Sequence, residues 1–358
     1  VKHNVRGFIL IAALGPEWMK RQVLPEVLAG EKISALAITE PSGGSDVANL
    51  KTAARREGDH YVVNGSKMFI TNSGFADVFI VFAKVDGRKF SAFIVERTDP
   101  GFTVGPEEHK LGIKASPTAV LQFGDHGGAI GYLVGEENRG LEYMFVMMNA
   151  ARFAVGMQGV AVAERAYQKA VQYAKDRVQS RDLAGSPGPV AIIHQPDVKR
   201  MLMTMRAYTE ASRALAYYAA SAYDAQHAAP DEAVRKANQA IYEFLVPIVK
   251  GFSTEMSIEV ASLGVQVHGG MGFIEETGAA QHYRDARILT IYEGTTAIQA
   301  NDLVGRKTVR DGGAIAKELS QRIAATEKDL AASGSADAKA VLKQLALARA
   351  AFEQAVAY

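Results

Sequence analysis

Between Ser34 and about Leu133 the apolar residues gather in short β-rich runs: Tyr61-Val62-Val63, Met68-Phe69-Ile70, Val78 to Lys84 and Phe90 to Val95. Asn64-Gly65 and Asp86-Gly87 separate them as turn signals, and the spacing predicts an antiparallel β-barrel. Beyond Gly140 the period becomes helical. Val198, Met201, Leu202, Met205, Thr209, Ser212, Leu215 and Ala219 recur at i, i+3, i+4 spacing, the stripe of one buried helix face whose methionines are core packing. Further helices are expected at about 141–176 and 232–263, with a shorter one after Thr295, and the many alanines suit a helical bundle. Residues 1–32 read as helix, loop and helix, with Pro16 at a helix start and Gly30 ending the second piece. Residues 314–358 predict two amphipathic helices around Ser333-Gly334-Ser335, with no chemistry visible in them.

A chain of 358 residues with 48% hydrophobic content is long enough for two or three cores and is neither disordered nor fibrous in composition. A net charge of +1, from 40 basic and 39 acidic residues, gives no field that would steer nucleic acid or an anionic membrane. The chain has no cysteine, which excludes disulfides, thiolate metal sites and cysteine nucleophiles. No HExxH or comparable pattern marks a metal site among the eight histidines. The apolar run Phe8 to Leu14 is too short to span a bilayer, and no membrane span is expected.

Candidate chemistry concentrates in a few segments. Glu293, between Ile291-Tyr292 and Gly294-Thr295-Thr296, is a carboxylate with apolar and aromatic neighbours. Partial desolvation would raise its pKa and suit it as a general base for a carbon acid; a helix-capping or ion-pairing role, with Asp285 or Arg287 nearby, is the alternative. Pro41 to Asp46 is a turn of glycines and hydroxyls, able to present backbone N–H groups to a phosphate or flavin edge, or simply to close two strands. On a strand Phe69 and Thr71 share a face, offering an aromatic edge and a hydroxyl, although a core strand reads the same way. Gly269-Gly270-Met271-Gly272 is either a helix C-terminal linker or a cofactor approach, and Arg152 an ordinary ion pair or a site arginine. Gly124 to Gly128 lacks the dinucleotide spacing and reads as a surface loop.

Four of these segments, Ile38-Thr39-Glu40-Pro41-Ser42-Gly43-Gly44-Ser45-Asp46, Lys67-Met68-Phe69-Ile70-Thr71-Asn72, Gln266 to Phe273 and Arg284 to Thr296, resemble in order the motifs of the acyl-CoA dehydrogenase family. The resemblance runs from about His3 to Val304. It implies a remnant of an N-terminal helical domain at 1–33, a middle antiparallel β-barrel at 34–137, a C-terminal four-helix bundle at 138–310, and the start of a helical extension at 311–358. Val1-Lys2-His3-Asn4 resembles the middle of the family's helical domain, so the native N-terminus and any targeting segment are expected to lie outside this sequence.

The resemblance also implies bound FAD, with Ile38, Thr39, Gly44, Ser45, Phe69, Ile70, Thr71 and Thr295 on the cofactor. Phe69 stands where the family usually has Trp. Gln266, Gly269 and Gly270 would reach the adenosine end of FAD in a neighbouring subunit, with Arg177 on its pyrophosphate; the unit is then a homo-oligomer, dimer or tetramer. Ser180 replaces the usual aromatic after Arg177. Ser45, Asn149, Arg152 and Gly294 would lie on the acyl-CoA substrate. Some branches place the base just before the arginine matched by Arg152; that position is Ala151 here, which assigns the base to Glu293. The implied reaction is α,β-dehydrogenation to a trans-2-enoyl-CoA, with electron-transfer flavoprotein as acceptor and a bacterial cytoplasmic location, or else a mitochondrial matrix one. Residues 131–310 look closest to the methylthiopropionyl-CoA dehydrogenase type and 75–115 to long-chain members. An oxidase on the same scaffold, or a non-catalytic alkylation-response flavoprotein, are the alternatives.

Overall fold

The computed structural model describes residues 4–358; Val1, Lys2 and His3, on which the reading of the chain's start partly rests, lie outside the described residues. Two compact units divide the chain, Val1–Ala151 and Arg152–Tyr358.

The first unit opens with three short helices, α1 (Asn4–Leu14), α2 (Glu17–Gln22, entered through Pro16) and α3 (Leu24–Leu28). Eight strands follow: β1 (Ser34–Ala37), β2 (Ala53–Glu57), β3 (His60–Thr71), β4 (Val78–Val85), β5 (Lys89–Glu96), β6 (Phe102–Glu107), β7 (Thr118–Phe123) and β8 (Ala129–Val134). Their order is β1-β4-β5-β8-β3-β7-β6, and β2 pairs with both β3 and β4, so β4-β5-β8-β3-β2 closes into a ring. The expected barrel is therefore present, but β1 and β2 each run parallel to β4. From Val78 to Ala83 β4 is a continuous, buried apolar run because both of its faces are covered. Val78, Ile80 and Phe82 join Leu10, Ile11 and Met19 in one core; Phe79, Val81 and Ala83 join Tyr61, Phe93 and Leu121 in the other.

One expected turn is absent. Asn64-Gly65 lies inside β3, which runs unbroken from His60 to Thr71. Gly65 has φ +144°, and a Cβ there would sit 2.7 Å from Thr52 Oγ1, so this glycine admits a neighbouring strand rather than reversing the chain. The actual reversal before β3 is Gly58-Asp59, between the paired Glu57 and His60. Asp86-Gly87 does turn the chain, both residues having positive φ.

The second unit is helical. Its long helices are α4 (Gly140–Asp176, within which the unit boundary falls), α5 (Pro196–Ala228) and α6 (Glu232–His268, five residues longer than expected because it continues to the Gly269 cap). Then come α7 (Ala279–Arg287), α8 (Thr296–Asn301), a π-helical turn Asp302–Thr308, and the hairpin α9 (Ala314–Ala332) and α10 (Ala336–Ala357). The α5 stripe is buried as expected at Met201, Leu202, Met205, Thr209, Ser212 and Ala219. α4 is long and apolar enough by length and composition to cross a bilayer. It carries Gly159 so close to α6 that a Cβ would fall 2.5 Å from the Ser253 carbonyl oxygen.

Candidate functional site

In the first unit a fully buried ion pair ties two of the candidate segments together. Lys67 Nζ donates to Glu40 Oε1 at 2.8 Å and to the Ile38 carbonyl at 3.0 Å. Glu40 also accepts from the backbone N–H groups of Lys51 (2.6 Å) and Thr52 (2.9 Å). Burial alone would raise the Glu40 carboxyl, but the bonds from Lys67, Thr52 and Lys51 outweigh it and hold the group at about 2. Burial pulls the Lys67 ammonium down to about 8 against the attraction of Glu40.

The register of β3 shifts between Lys67 and Ile70, a bulge at which Phe69 takes φ +58°. The bulge frees the Met68 N–H to bond the Thr39 carbonyl at 2.9 Å, joining the Ile38–Thr39 segment to the strand that bears Phe69. Ile70 points into the core, whereas Phe69 is 57% exposed and Thr71 half-buried. The Thr71 hydroxyl lies 3.5 Å from that of Thr118. Glu40 and Gly43 bridge each other across the following turn, leaving Gly44 and Ser45 exposed. A large aromatic side chain held out of the core, next to a half-buried hydroxyl and an open Gly-Ser turn, fits a flat ring of mixed polarity such as a flavin.

In the second unit Glu293 is half-buried at φ +55°, followed by Gly294 at φ +87°. Two successive left-handed residues, one of them a glutamate, mark a strained turn held by its surroundings. Lys250 Nζ, buried on α6, donates to the Gly294 carbonyl at 2.6 Å. Gln299 Nε2 donates to the same oxygen at 3.1 Å, and a Cβ on Gly294 would lie 2.8 Å from that nitrogen. The Tyr292 hydroxyl bonds Gln158 on α4. Arg152, also on α4 and 4% exposed, donates Nη1 to Asp302 Oδ2 at 2.5 Å; Arg306 holds the other Asp302 oxygen at 2.8 Å. The buried Nε of Arg152 has no hydrogen-bond partner, and neither has Gln299 Oε1.

The structure thus gathers Glu293, Gly294 and Arg152 into one neighbourhood. It differs from expectation in what surrounds them: Ile291 is 46% exposed and does not wall off the carboxylate. The groups that act on Glu293 electrostatically include Lys250 and Arg152. Burial lowers the Lys250 ammonium to about 8 and pushes the Arg152 guanidinium down from its usual value. Arg287, weighed as an ion-pair partner of Glu293, donates to Thr290 Oγ1. Thr295 caps α8, its hydroxyl accepting from Ile298 N–H at 3.3 Å. Asn149 is half-buried on α4. Gln266, Gly269, Gly270 and Arg177 are exposed, the Arg177 guanidinium bonding Gln179, and the Gly269-containing segment is a 3-10 turn ending α6. No cluster of histidine and carboxylate residues able to hold a metal exists among the described residues.

Glu40, Lys67, Lys250, Gln299 and Asp302 were not singled out by sequence. Lys250 had a legible signal: it is the lone cation after Phe244-Leu245-Val246-Pro247-Ile248-Val249. A charge inside such a run is either exposed at a stripe edge or has a specific partner.

The architecture and these segments agree with known proteins. Residues 35–126 match the acyl-CoA dehydrogenase middle domain, and 138–307 the acyl-CoA dehydrogenase C-terminal domain. A 3-methylmercaptopropionyl-CoA dehydrogenase of Ruegeria pomeroyi is 50% identical over 364 residues, covering 96% of this chain and 61% of that protein. An acyl-CoA dehydrogenase of Bacillus subtilis is 35% identical, covering 83% of this chain and 74% of its own length. The crystal structure of an acyl-CoA dehydrogenase complexed with FAD from Bacillus anthracis superposes with TM-score 0.78 at 34% identity, covering 90% of this chain and 55% of that one. The chain spans about three-fifths of the length of the Ruegeria relative. On the order of the four motifs, the barrel followed by helices, and these likenesses, the chain belongs to the acyl-CoA dehydrogenase family.

Proposed function

We propose that this chain carries the catalytic part of an FAD-dependent acyl-CoA dehydrogenase, with Glu293 as the base that removes the α-proton of a saturated acyl-CoA. The observation that carries the reading is the strained Glu293-Gly294 turn, where a carboxylate is presented beside buried Arg152 and Lys250. FAD, which the exposed Phe69, half-buried Thr71 and open Gly44-Ser45 turn fit, supplies the hydride acceptor for the β-hydrogen. Ile38, Thr39 and Ile70 complete that cofactor face, and Thr295 is likewise assigned to FAD. Gln266, Gly269, Gly270 and Arg177, all exposed, are taken to serve the cofactor of a second copy, which makes the unit a homo-oligomer. Ser45, Asn149, Arg152 and Gly294 are assigned to the acyl-CoA substrate.

The chain's own residues then do three things. The Glu293 carboxylate takes a proton from carbon, which requires the thioester oxygen to be stabilised as charge develops on it. The Glu293 backbone N–H supplies one such bond, an interaction that typically contributes about 10²–10³ in rate. Gly294, without a side chain, lets the substrate approach the backbone there. The same reading keeps the four domain segments 1–33, 34–137, 138–310 and 311–358, with a four-helix bundle in the third. It takes electron-transfer flavoprotein as the electron acceptor and the bacterial cytoplasm as the location.

The test is a flavin spectrum before and after anaerobic addition of saturated acyl-CoAs of increasing length and the 3-methylmercaptopropionyl thioester. Wild type should bleach with at least one of them, and Glu293→Gln should retain its flavin without bleaching. Bleaching of the variant at the wild-type rate would refute the base assignment.

A further inference from the structure

The proposed chemistry leaves one buried cation unexplained. Lys250 is fully buried within α6, flanked by the core residues Val246 and Val249, and burial lowers its pKa to about 8. An ammonium in such a place is costly unless it is bonded. Its bond goes to a backbone carbonyl, that of Gly294, at 2.6 Å.

That carbonyl belongs to the residue after Glu293, in the turn where both residues have positive φ. Glycine adopts this conformation freely, whereas a glutamate there is strained and keeps it only if neighbouring bonds over-determine it. Lys250 and Gln299 both donate to the Gly294 oxygen, and Gln299 reaches the Glu293 carbonyl more weakly at 3.4 Å. The Lys250 bond is the shorter and is charge-assisted, so it is the stronger of the restraints. Release of that carbonyl would let the turn relax toward negative φ and swing the carboxylate with it. A displacement of about 1 Å at a reacting group can cost roughly 10²-fold in rate.

We propose that Lys250 is a positioning residue for the base: its buried ammonium, bonded to the Gly294 carbonyl, holds Glu293 in the left-handed conformation from which the carboxylate meets the substrate. This rests on the reading of Glu293 as base. Lys250 is not assigned any contact with substrate or cofactor; it acts through the turn. The charges that act on it are those of Glu293 and Glu255, which attract, and Arg152, which repels.

The experiment uses the full chain purified with its flavin, as wild type, Lys250→Met and Lys250→Gln. Hydrogen exchange by mass spectrometry, on peptides covering residues 288–297, reads the turn without any reaction. Exchange there should be at least tenfold faster in Lys250→Met, with the exchange of β3 and β4 unchanged. In stopped flow, flavin bleaching at saturating acyl-CoA should slow by 10- to 100-fold while the acyl-CoA dissociation constant moves less than threefold. In a Glu293→Asp background the same lysine change should add less than twofold, because the two act as one unit. Lys250→Gln, which keeps a neutral donor of shorter reach, should fall between the two and serves if the Met variant does not fold. Wild-type exchange in the turn, or a rate loss that multiplies fully with Glu293→Asp, would overturn the proposal and leave Lys250 a structural staple of α6. If wild type bleaches with no acyl-CoA, the base reading fails by itself, and the exchange data still decide whether Lys250 holds the turn.

Discussion

Removing the Lys67 ammonium should destabilise the β unit more than any surface change could. Lys67→Met keeps the length and apolar stem of the side chain but deletes the donor to Glu40 and Ile38. Glu40, 4% exposed, would keep its two backbone N–H bonds and the weaker Ser42 hydroxyl at 3.3 Å, but no counter-charge bonded to it. Breaking one side of a buried pair costs about 3–5 kcal/mol, and the surviving backbone donors place this case near 3. The readout is built in: the single tryptophan, Trp18, packs edge-on against Tyr132 at 5.5 Å within the same unit, so its fluorescence follows unfolding of that unit. With a urea slope of about 2 kcal/mol per M, the midpoint should fall by about 1.5 M. Glu40→Gln combined with Lys67→Met removes both charges and should recover at least half of the loss. The flavin dissociation constant should rise in the single variant, because Thr39 and Phe69 are joined through this pair and the Met68 bond. A midpoint shift under about 0.3 M, or a double variant as unstable as the single, would refute the reasoning.

Three further outcomes follow from the same geometry. Because Glu40 is held at about 2 in the folded state against 4.5 normally, its contribution of roughly 3 kcal/mol is complete above pH 4.5 and is lost as pH falls toward 2; urea midpoints read by Trp18 across that window should fall steeply in wild type and far less in the Glu40→Gln/Lys67→Met pair. Gly159→Ala, ordinarily stabilising in a helix by about 1 kcal/mol, should instead destabilise the helical unit by about 1–3 kcal/mol because its Cβ meets the Ser253 carbonyl at 2.5 Å; a circular-dichroism melt that rises would contradict the close packing of α4 on α6. Arg152→Met should cost some stability, because buried Asp302 loses one of its two cations and keeps only Arg306, and should abolish flavin bleaching, whereas a variant that bleaches at the wild-type rate would count against placing Arg152 on the substrate.

What was legible in the sequence was periodic or local. The α5 stripe, the limits of α4 and the α9–α10 hairpin follow from spacing that packing does not override. Asn64-Gly65 misled because a positive-φ glycine serves two ends, a chain reversal or a close approach, and only the position of Thr52, brought alongside by the β2–β3 pairing, decides between them. The site shows the same division more sharply. Glu293, Gly294 and the Phe69–Thr71 strand could be picked out because their own neighbours in sequence carry the signal. The pairings that set their geometry could not: Lys250 meets Gly294 44 residues away, Lys67 meets Glu40 27 residues away, and Arg152, itself weighed as a site arginine or an ordinary ion pair, meets Asp302 150 residues away. Each is a buried charge whose partner is chosen by tertiary packing, so from sequence Lys250 and Lys67 read only as misplaced polar residues and Arg152 as an arginine without a known partner. The misplacement is itself informative. A lone lysine directly after the apolar stretch that ends at Val249 must either break the helix face or be met by an acceptor, and the acceptor it meets is the turn that presents the proposed base. Buried cations of this kind are where a sequence reading should look for the supports of a site whose reacting residue it proposes.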